Sequence, residues 1–293
     1  MTRNIFLTLT CFLSLFHFTP VFAQLQAGEK SWADQLEYVG VAVEEPGYHV
    51  WGSSPVIGPK GKTHLFVSRW PVEEGFGAWL THCEIARYVS DHLEGPFVFK
   101  EVILKGTETG TWDRKSPHNP TVHKVGNQYV LLYIANSGGS SKERVASQCI
   151  GMMIADSPKG PWEKVGENGL ILAPPSDSLT WSHGSVVGVN NTALLAHPDG
   201  RYYLYYKAKK KGDVRRMGVA IADKLEGPYI FEKDNFTSNE TNIEDGYAFM
   251  EDGTVCFITT NNETGEGYLW KSEDGLHFNK PILGFNRMEH YLG

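Results

Sequence analysis

Three Gly-Pro pairs, Gly95–Pro96, Gly160–Pro161 and Gly227–Pro228, are spaced 65 and 67 residues apart, and each is followed by an aromatic residue: Phe97, Trp162 and Tyr229. A period of that length limits the chain to an array of similar units. Ahead of each pair lies a second repeated element. The stretches "SSPVIGPKGKTHLFV" from Ser53, "HNPTVHKVGNQYVLLYI" from His118, "NNTALLAHPDGRYYLYYKA" from Asn190 and "EDGYAFMEDGTVCFITT" from Glu244 share one layout. Each has a polar opening, a short apolar run, a glycine-bearing turn, and a second run rich in β-branched and aromatic residues. That is the pattern of a β-hairpin. The elements "SDHLEGPFVF", "ADSPKGPWEKV", "ADKLEGPYIFEK" and "SEDGLHFNK" add a third strand, a turn and a fourth strand. Four-stranded units repeated without a helical period between them predict a β-propeller.

Four units are explicit. The N-terminal "YVGVAVEEPGYHVWG" and the C-terminal "PILGFNRMEHYLG" supply material for a fifth, because propellers close by pairing the two ends of the chain. The fold expected is therefore an all-β, five-bladed propeller of four-stranded antiparallel blades, its fifth blade thin. The first strand of a blade lines the central axis, and a residue before proline is driven to extended geometry. The polar residues at the strand entries, Ser54, Asn119, Asn191 and Asp245, thus converge on one axial pocket.

The N-terminus carries its own signal. Arg3 precedes an apolar run from Ile5 to Phe18, and "TPVFA" ends at Ala23 in a small residue, the layout of a secretory signal peptide. Residues 1–23 are expected to be removed and 24–293 to form a single propeller, exported to the periplasm or the extracellular space. No other stretch approaches the roughly 20 apolar residues of a membrane span. The formal charge of −7 gives no indication of nucleic-acid binding. Only "KAKKKGDVRR", Lys207 to Arg216, is locally basic, a solvated hairpin tip or a contact for an anionic glycan. With Cys11 removed in the expected signal peptide, Cys83, Cys149 and Cys256, odd in number and set in apolar strands, read as buried free thiols. No CxxC pair or HExxH helix is present, so no metal site of those kinds is expected. No cofactor is predicted, and an axial calcium is left open.

The blade hairpins and the Gly-Pro-aromatic elements resemble glycoside hydrolase family 43 and related five-bladed propeller enzymes that act on plant and algal polysaccharides. The resemblance implies a base aspartate before proline in the first blade, a second aspartate in a later blade, and a glutamate acid beyond. At those positions this chain has Ser54 before Pro55, and Asn191. "NIEDGY" keeps acids at a blade entry, Glu244 and Asp245.

The catalytic candidates are His118, His183, Glu244 and Asp245, and the binding candidates are Ser54, Arg69, Trp70, Asn119, Trp181 and Asn191. His82, Glu84, Asp113, Trp51, Trp79 and Trp112 are secondary candidates. Hydrolysis at a chain end, with Glu244 or Asp245 as acid, is the first reading. A histidine-rich, carboxylate-poor set also suits a lyase or dehydratase acting on a terminal uronate of an ulvan-like oligosaccharide. There His118 or His183 would move the C5 proton and Arg69 or Asn119 would hold the carboxylate. A propeller that only binds glycan is the third. The partner is an oligosaccharide, neutral or anionic, and a monomer is expected.

Overall fold

The computed structural model describes residues 32–234 and 242–286; the expected signal peptide, 1–23, lies outside the described residues. Seventeen strands follow in chain order. The first blade comprises β1 (Tyr48–Ile57), β2 (Thr63–Pro71), β3 (Glu84–Ser90) and β4 (Val98–Leu104). The second comprises β5 (Lys115–Val125), β6 (Gln128–Asn136), β7 (Cys149–Ala155), β8 (Glu163–Lys164) and β9 (Leu170–Leu172), the last two sharing the edge of β7. The third comprises β10 (Asn190–Ala196), β11 (Tyr202–Ala208), β12 (Arg216–Ala222) and β13 (Ile230–Phe231). The fourth comprises β14 (Ile243–Glu251), β15 (Thr254–Asn261), β16 (Gly267–Ser272) and β17 (Ile282–Phe285). Every neighbouring pair is antiparallel.

The described residues form four blades, which corrects the five expected from the sequence. The strands in the described parts of both end segments belong to other blades. Tyr48 to Trp51 open β1 and pair with Ser68 to Pro71, and Ile282 to Phe285 form the outer edge of the fourth blade against β16. Residues 36–47 form no strand, and the short 3-10 turn Ala33–Gln35 ahead of them packs towards β17, with Trp32 stacked on Phe249.

Burial explains the strand pattern. The second strand of a blade is sandwiched between neighbours, so β2, β6 and β11 are buried on both faces rather than alternating. Three apolar clusters glue successive blades: one around Phe66, Ile85, Leu131 and Tyr133, one around Leu132, Ile150, Leu204 and Tyr206, and one around Tyr203, Tyr205, Phe257 and Trp270. The second and third Gly-Pro elements feed these seams, and the first sends Phe97 onto Leu65, Val67, Ala86 and Tyr88 of its own blade. Their glycines hold φ of 99°, 82° and 89°, which only glycine adopts freely, and the aromatic residue that follows turns inward. Trp162 meets Phe66 edge-on at 5.6 Å, and the buried Tyr229 hydroxyl donates to the Leu225 carbonyl at 2.8 Å.

A further repeat lies above the seams. Trp112 stacks on Tyr133 and Trp181 on Tyr206, and a Cβ at Gly151 or Gly218 would come within 2.5 Å of the respective indole. Each tryptophan therefore packs on a glycine of its blade's third strand. The three described cysteines are buried and free. No helix among the described residues is long and apolar enough to cross a membrane.

Candidate active site

All four inner strands break register near their entry. In β5 the break lies between His118 and Thr121, in β10 between Asn190 and Ala193, in β14 between Glu244 and Gly246, and in β1 between Trp51 and Ser54. Each break is a β-bulge whose extra residue is left-handed: Asn119 at φ 45°, Asn191 at 47° and Asp245 at 46°. Asparagine, aspartate and glycine tolerate that backbone best. The corresponding residue in β1 is Gly52, at φ 59°. Ser54 stands two positions further on, and its buried hydroxyl accepts from the Val122 amide at 2.9 Å.

The bulges are wired from blade to blade. The Asn119 amide donates to Ser68 Oγ at 2.7 Å, Thr121 and Thr192 share a hydroxyl contact at 3.1 Å, and Asn191 Nδ2 donates to Asp245 Oδ1. Two adjoining cavities meet at Trp51, Asn119, Asn191, Asp245 and Thr260. The first, about 540 Å³, has His118, Asn190, Lys207, Arg215 and Glu244 in its wall. The second, about 1050 Å³, is faced by His49, Trp70 and Phe76 on the first blade and by Tyr247. Trp51 and Phe76 stand nearly parallel, 5.9 Å apart, and are 38% and 52% exposed.

The two neighbouring acids have different environments. Burial acts to raise the Glu244 carboxyl, but the ammonium of Lys207, which it accepts directly, and the guanidinium of Arg215 at 3.5 Å outweigh burial and hold it below the usual range. Asp245 has no such partner. Burial, reinforced by the charge of Glu244 and opposed by that of Lys207 and the Asn191 amide, pushes its carboxyl up to about 6. One carboxylate is thus kept ionised while the next holds a proton into the mildly acidic range. His118 is 3% exposed. Its Nδ1 lies 2.7 Å from the Ser116 carbonyl, which can only accept, so the proton sits on Nδ1 and Nε2 keeps its lone pair. Burial, with the charge of Lys207 adding to it, lowers its pKa to about 4. The ring of Trp79 meets it edge-on at 5.2 Å.

Of the residues singled out from the sequence, His118, Asn119, Asn191, Glu244, Asp245, Trp51 and Trp79 meet in the first cavity, and Ser54 and Trp70 border the second. The others lie elsewhere. His183 accepts no role in either wall, its Nδ1 donating to the Pro175 carbonyl at 3.0 Å. Arg69 is buried between Glu45 and Glu84 at 2.7 and 2.9 Å, and Trp181 packs on Tyr206. Asp113 is paired with Lys164, and His82 lies 3.9 Å from Glu74. Sequence reasoning missed Gln148 and Asn190, and it read Lys207 and Arg215 only as part of a basic hairpin segment, not as partners of Glu244. The signal for Lys207 was the hairpin register, since it sits directly opposite Asn190. Among the described residues no group of three or more His, Cys, Asp or Glu side chains is placed to hold a metal ion.

No family model matches the chain. It is 39% identical over 112 residues to xylosidase/arabinosidase 43A of Humicola insolens, covering 31% of this chain and 34% of that protein. With a beta-xylosidase of Xylanibacter ruminicola it shares 56% identity over 78 residues, 27% of this chain and 24% of the relative. With an extracellular endo-alpha-(1->5)-L-arabinanase of Thermotoga petrophila it shares 30% over 138 residues, 47% of this chain and 27% of the relative. The chain thus spans about a third or less of the length of these curated relatives. Among solved structures, a family 117 glycoside hydrolase produced by the marine bacterium Zobellia galactanivorans superposes with a TM-score of 0.66 at 19% identity, over 85% of this chain and 73% of that one. A GH43_1 enzyme from Xanthomonas citri, complexed with xylotriose, gives 0.56 at 14% identity, over 83% and 77%. The fold is that of β-propeller glycoside hydrolases of the family 43 and family 117 kind.

Proposed function

We propose that the chain is a glycosidase that releases a sugar from the end of a plant or algal oligosaccharide held in the axial cavity. The observation that supports it is the pair at the fourth bulge. Asp245 retains a proton up to about pH 6 while Glu244 stays ionised beside Lys207 and Arg215. A glycosidase needs one carboxylic acid to protonate the departing oxygen, and Asp245 is suited to that task. The neutral His118, with Nε2 unprotonated, takes the proton of the attacking water. A cavity of about 540 Å³ is large enough for one or a few sugar rings. Trp51, exposed at the junction of the two cavities, offers an apolar face to a pyranose.

Elimination on a uronate has less support. Of its two candidate carboxylate clamps, Arg69 is engaged by two glutamates away from the cavity, which leaves the neutral Asn119. The relatives reported above carry hydrolase names. The test is incubation with a panel of neutral and uronate-ended plant and algal oligosaccharides, read by product mass and ultraviolet absorbance. Release of a saturated sugar with uptake of one water is expected. Loss of water with a new conjugated-uronate absorbance would overturn the hydrolase reading, and binding without any product would leave a glycan-binding propeller.

A further inference from the structure

The basic segment between β11 and β12 is not used by the reading above. The chain carries a formal charge of −7, yet residues 207–216 hold six cations, Lys207, Lys209, Lys210, Lys211, Arg215 and Arg216, against one acid, Asp213. Register sets where this loop stands. Asn190 pairs with Lys207 and Ala208 with Arg216, so residues 209–215 stand at the end of the blade where the Asn191 bulge opens to the cavity.

Both ends of the loop are pinned. The Lys209 amide donates to Ser185 Oγ at 3.1 Å and its carbonyl accepts from Val186 at 2.8 Å. The Arg215 amide donates to Asn242 Oδ1 at 2.9 Å. Arg216 is taken by Asp213. Lys207, 4% exposed, and Arg215 both face the cavity and share Glu244 between them. The remaining acid of that wall, Glu263, lies on the exposed 262–264 turn. Lys209 is near enough for its charge to act on Glu244 as well. Lys207 and Arg215 thus stand against Glu244 and Glu263 in the wall, and the excess of cation comes from Lys209, Lys210 and Lys211 in the loop above it.

We infer that this rim receives an anionic substituent of the oligosaccharide, a uronate carboxylate or a sulfate ester, beside Asp245. The inference rests on the glycosidase reading for the location of the reacting sugar. The ammonium and guanidinium groups at a pinned rim supply charge-assisted hydrogen bonds without a large ordering cost.

Calorimetry with non-cleavable thio-linked oligosaccharides tests it on the unaltered protein, using two matched pairs: uronate-ended against its methyl ester, and sulfated against desulfated. The anionic member of at least one pair is expected to bind about tenfold tighter. The preference should fall as salt is raised, and the pair that shows it identifies the anion. K209Q should cut the preference about threefold. Equal binding within both pairs, preference for the neutral members, or no binding of any member would overturn the inference. Anionic preference in the binding assay, with no saturated sugar released from the cleavable counterparts, would overturn the glycosidase reading and keep the anionic rim.

Discussion

At the residue scale the site is defined by the unequal treatment of adjacent acids. Asp245 titrates near 6, above its unfolded value, so its contribution to stability is present below about pH 4 and lost as pH rises through 6. D245N keeps an acceptor for the Asn191 amide and removes the buried charge. It should abolish release of sugar, by about a hundredfold or more, yet melt higher than the parent at pH 7 by an amount on the order of 1 kcal/mol. That difference should vanish near pH 4, and a variant equally stable at every pH would show that Asp245 is ionised at no cost. K207M should act in the opposite direction. It leaves Glu244 without its buried cation and should cost about 2–4 kcal/mol in urea unfolding, with loss of activity because both carboxyls would then compete for protons.

At the element scale the inner strands show why the sequence could be read so far and no further. The hairpins were legible because turn glycines and doubly buried second strands such as "YVLLYI" leave a pattern in the residues themselves. The bulge was not. Ser54–Pro55 and Asn119–Pro120 share the spelling of a polar residue before proline, but the left-handed residue of the bulge is Gly52 in one strand, with no side chain to offer the axis, and Asn119 in the other. A backbone twist has no unique spelling. Trp181 was ambiguous for a related reason, because an indole that packs on glycine and one that meets a sugar carry the same letter. Its place over Gly218, matched by Trp112 over Gly151, is a tertiary fact. Introducing a methyl group there should overpack the seam: G218A should lose about 1–3 kcal/mol of stability, measured by thermal unfolding. The Asn191–Asp245 contact should be little disturbed, since the indole and the bulge lie on different parts of the blade.

At the scale of the molecule, the described residues form four blades joined through three apolar seams, with Tyr48–Trp51 in the first and Ile282–Phe285 in the fourth. The expectation of a fifth rested on the two chain ends pairing with each other, and it failed because Tyr48–Trp51 pairs with β2 and Ile282–Phe285 with β16, each inside an existing blade. Stability of the assembly should be sensitive to acid. Burial lowers His64, His118 and His123 to about 4, with Arg87 adding to the effect at His64 and Lys207 at His118. Their stabilising contribution is present above about pH 6.5 and lost as pH falls towards 4, at up to roughly 1.4 kcal/mol per pH unit for each histidine. Denaturant midpoints measured from pH 7 to pH 4 should therefore fall, and a flat profile would mean these imidazoles become charged in place. The axial bulges carry a different consequence. Glycine, asparagine and aspartate all tolerate the same twisted backbone, and codons for aspartate lie one base from codons for glycine and one base from codons for asparagine. Gly52, Asn119, Asn191 and Asp245 thus form a ring of sockets in which a carboxylate can be gained or lost by one nucleotide without redrawing the strands, so the chemistry of such a propeller can drift much faster than its architecture.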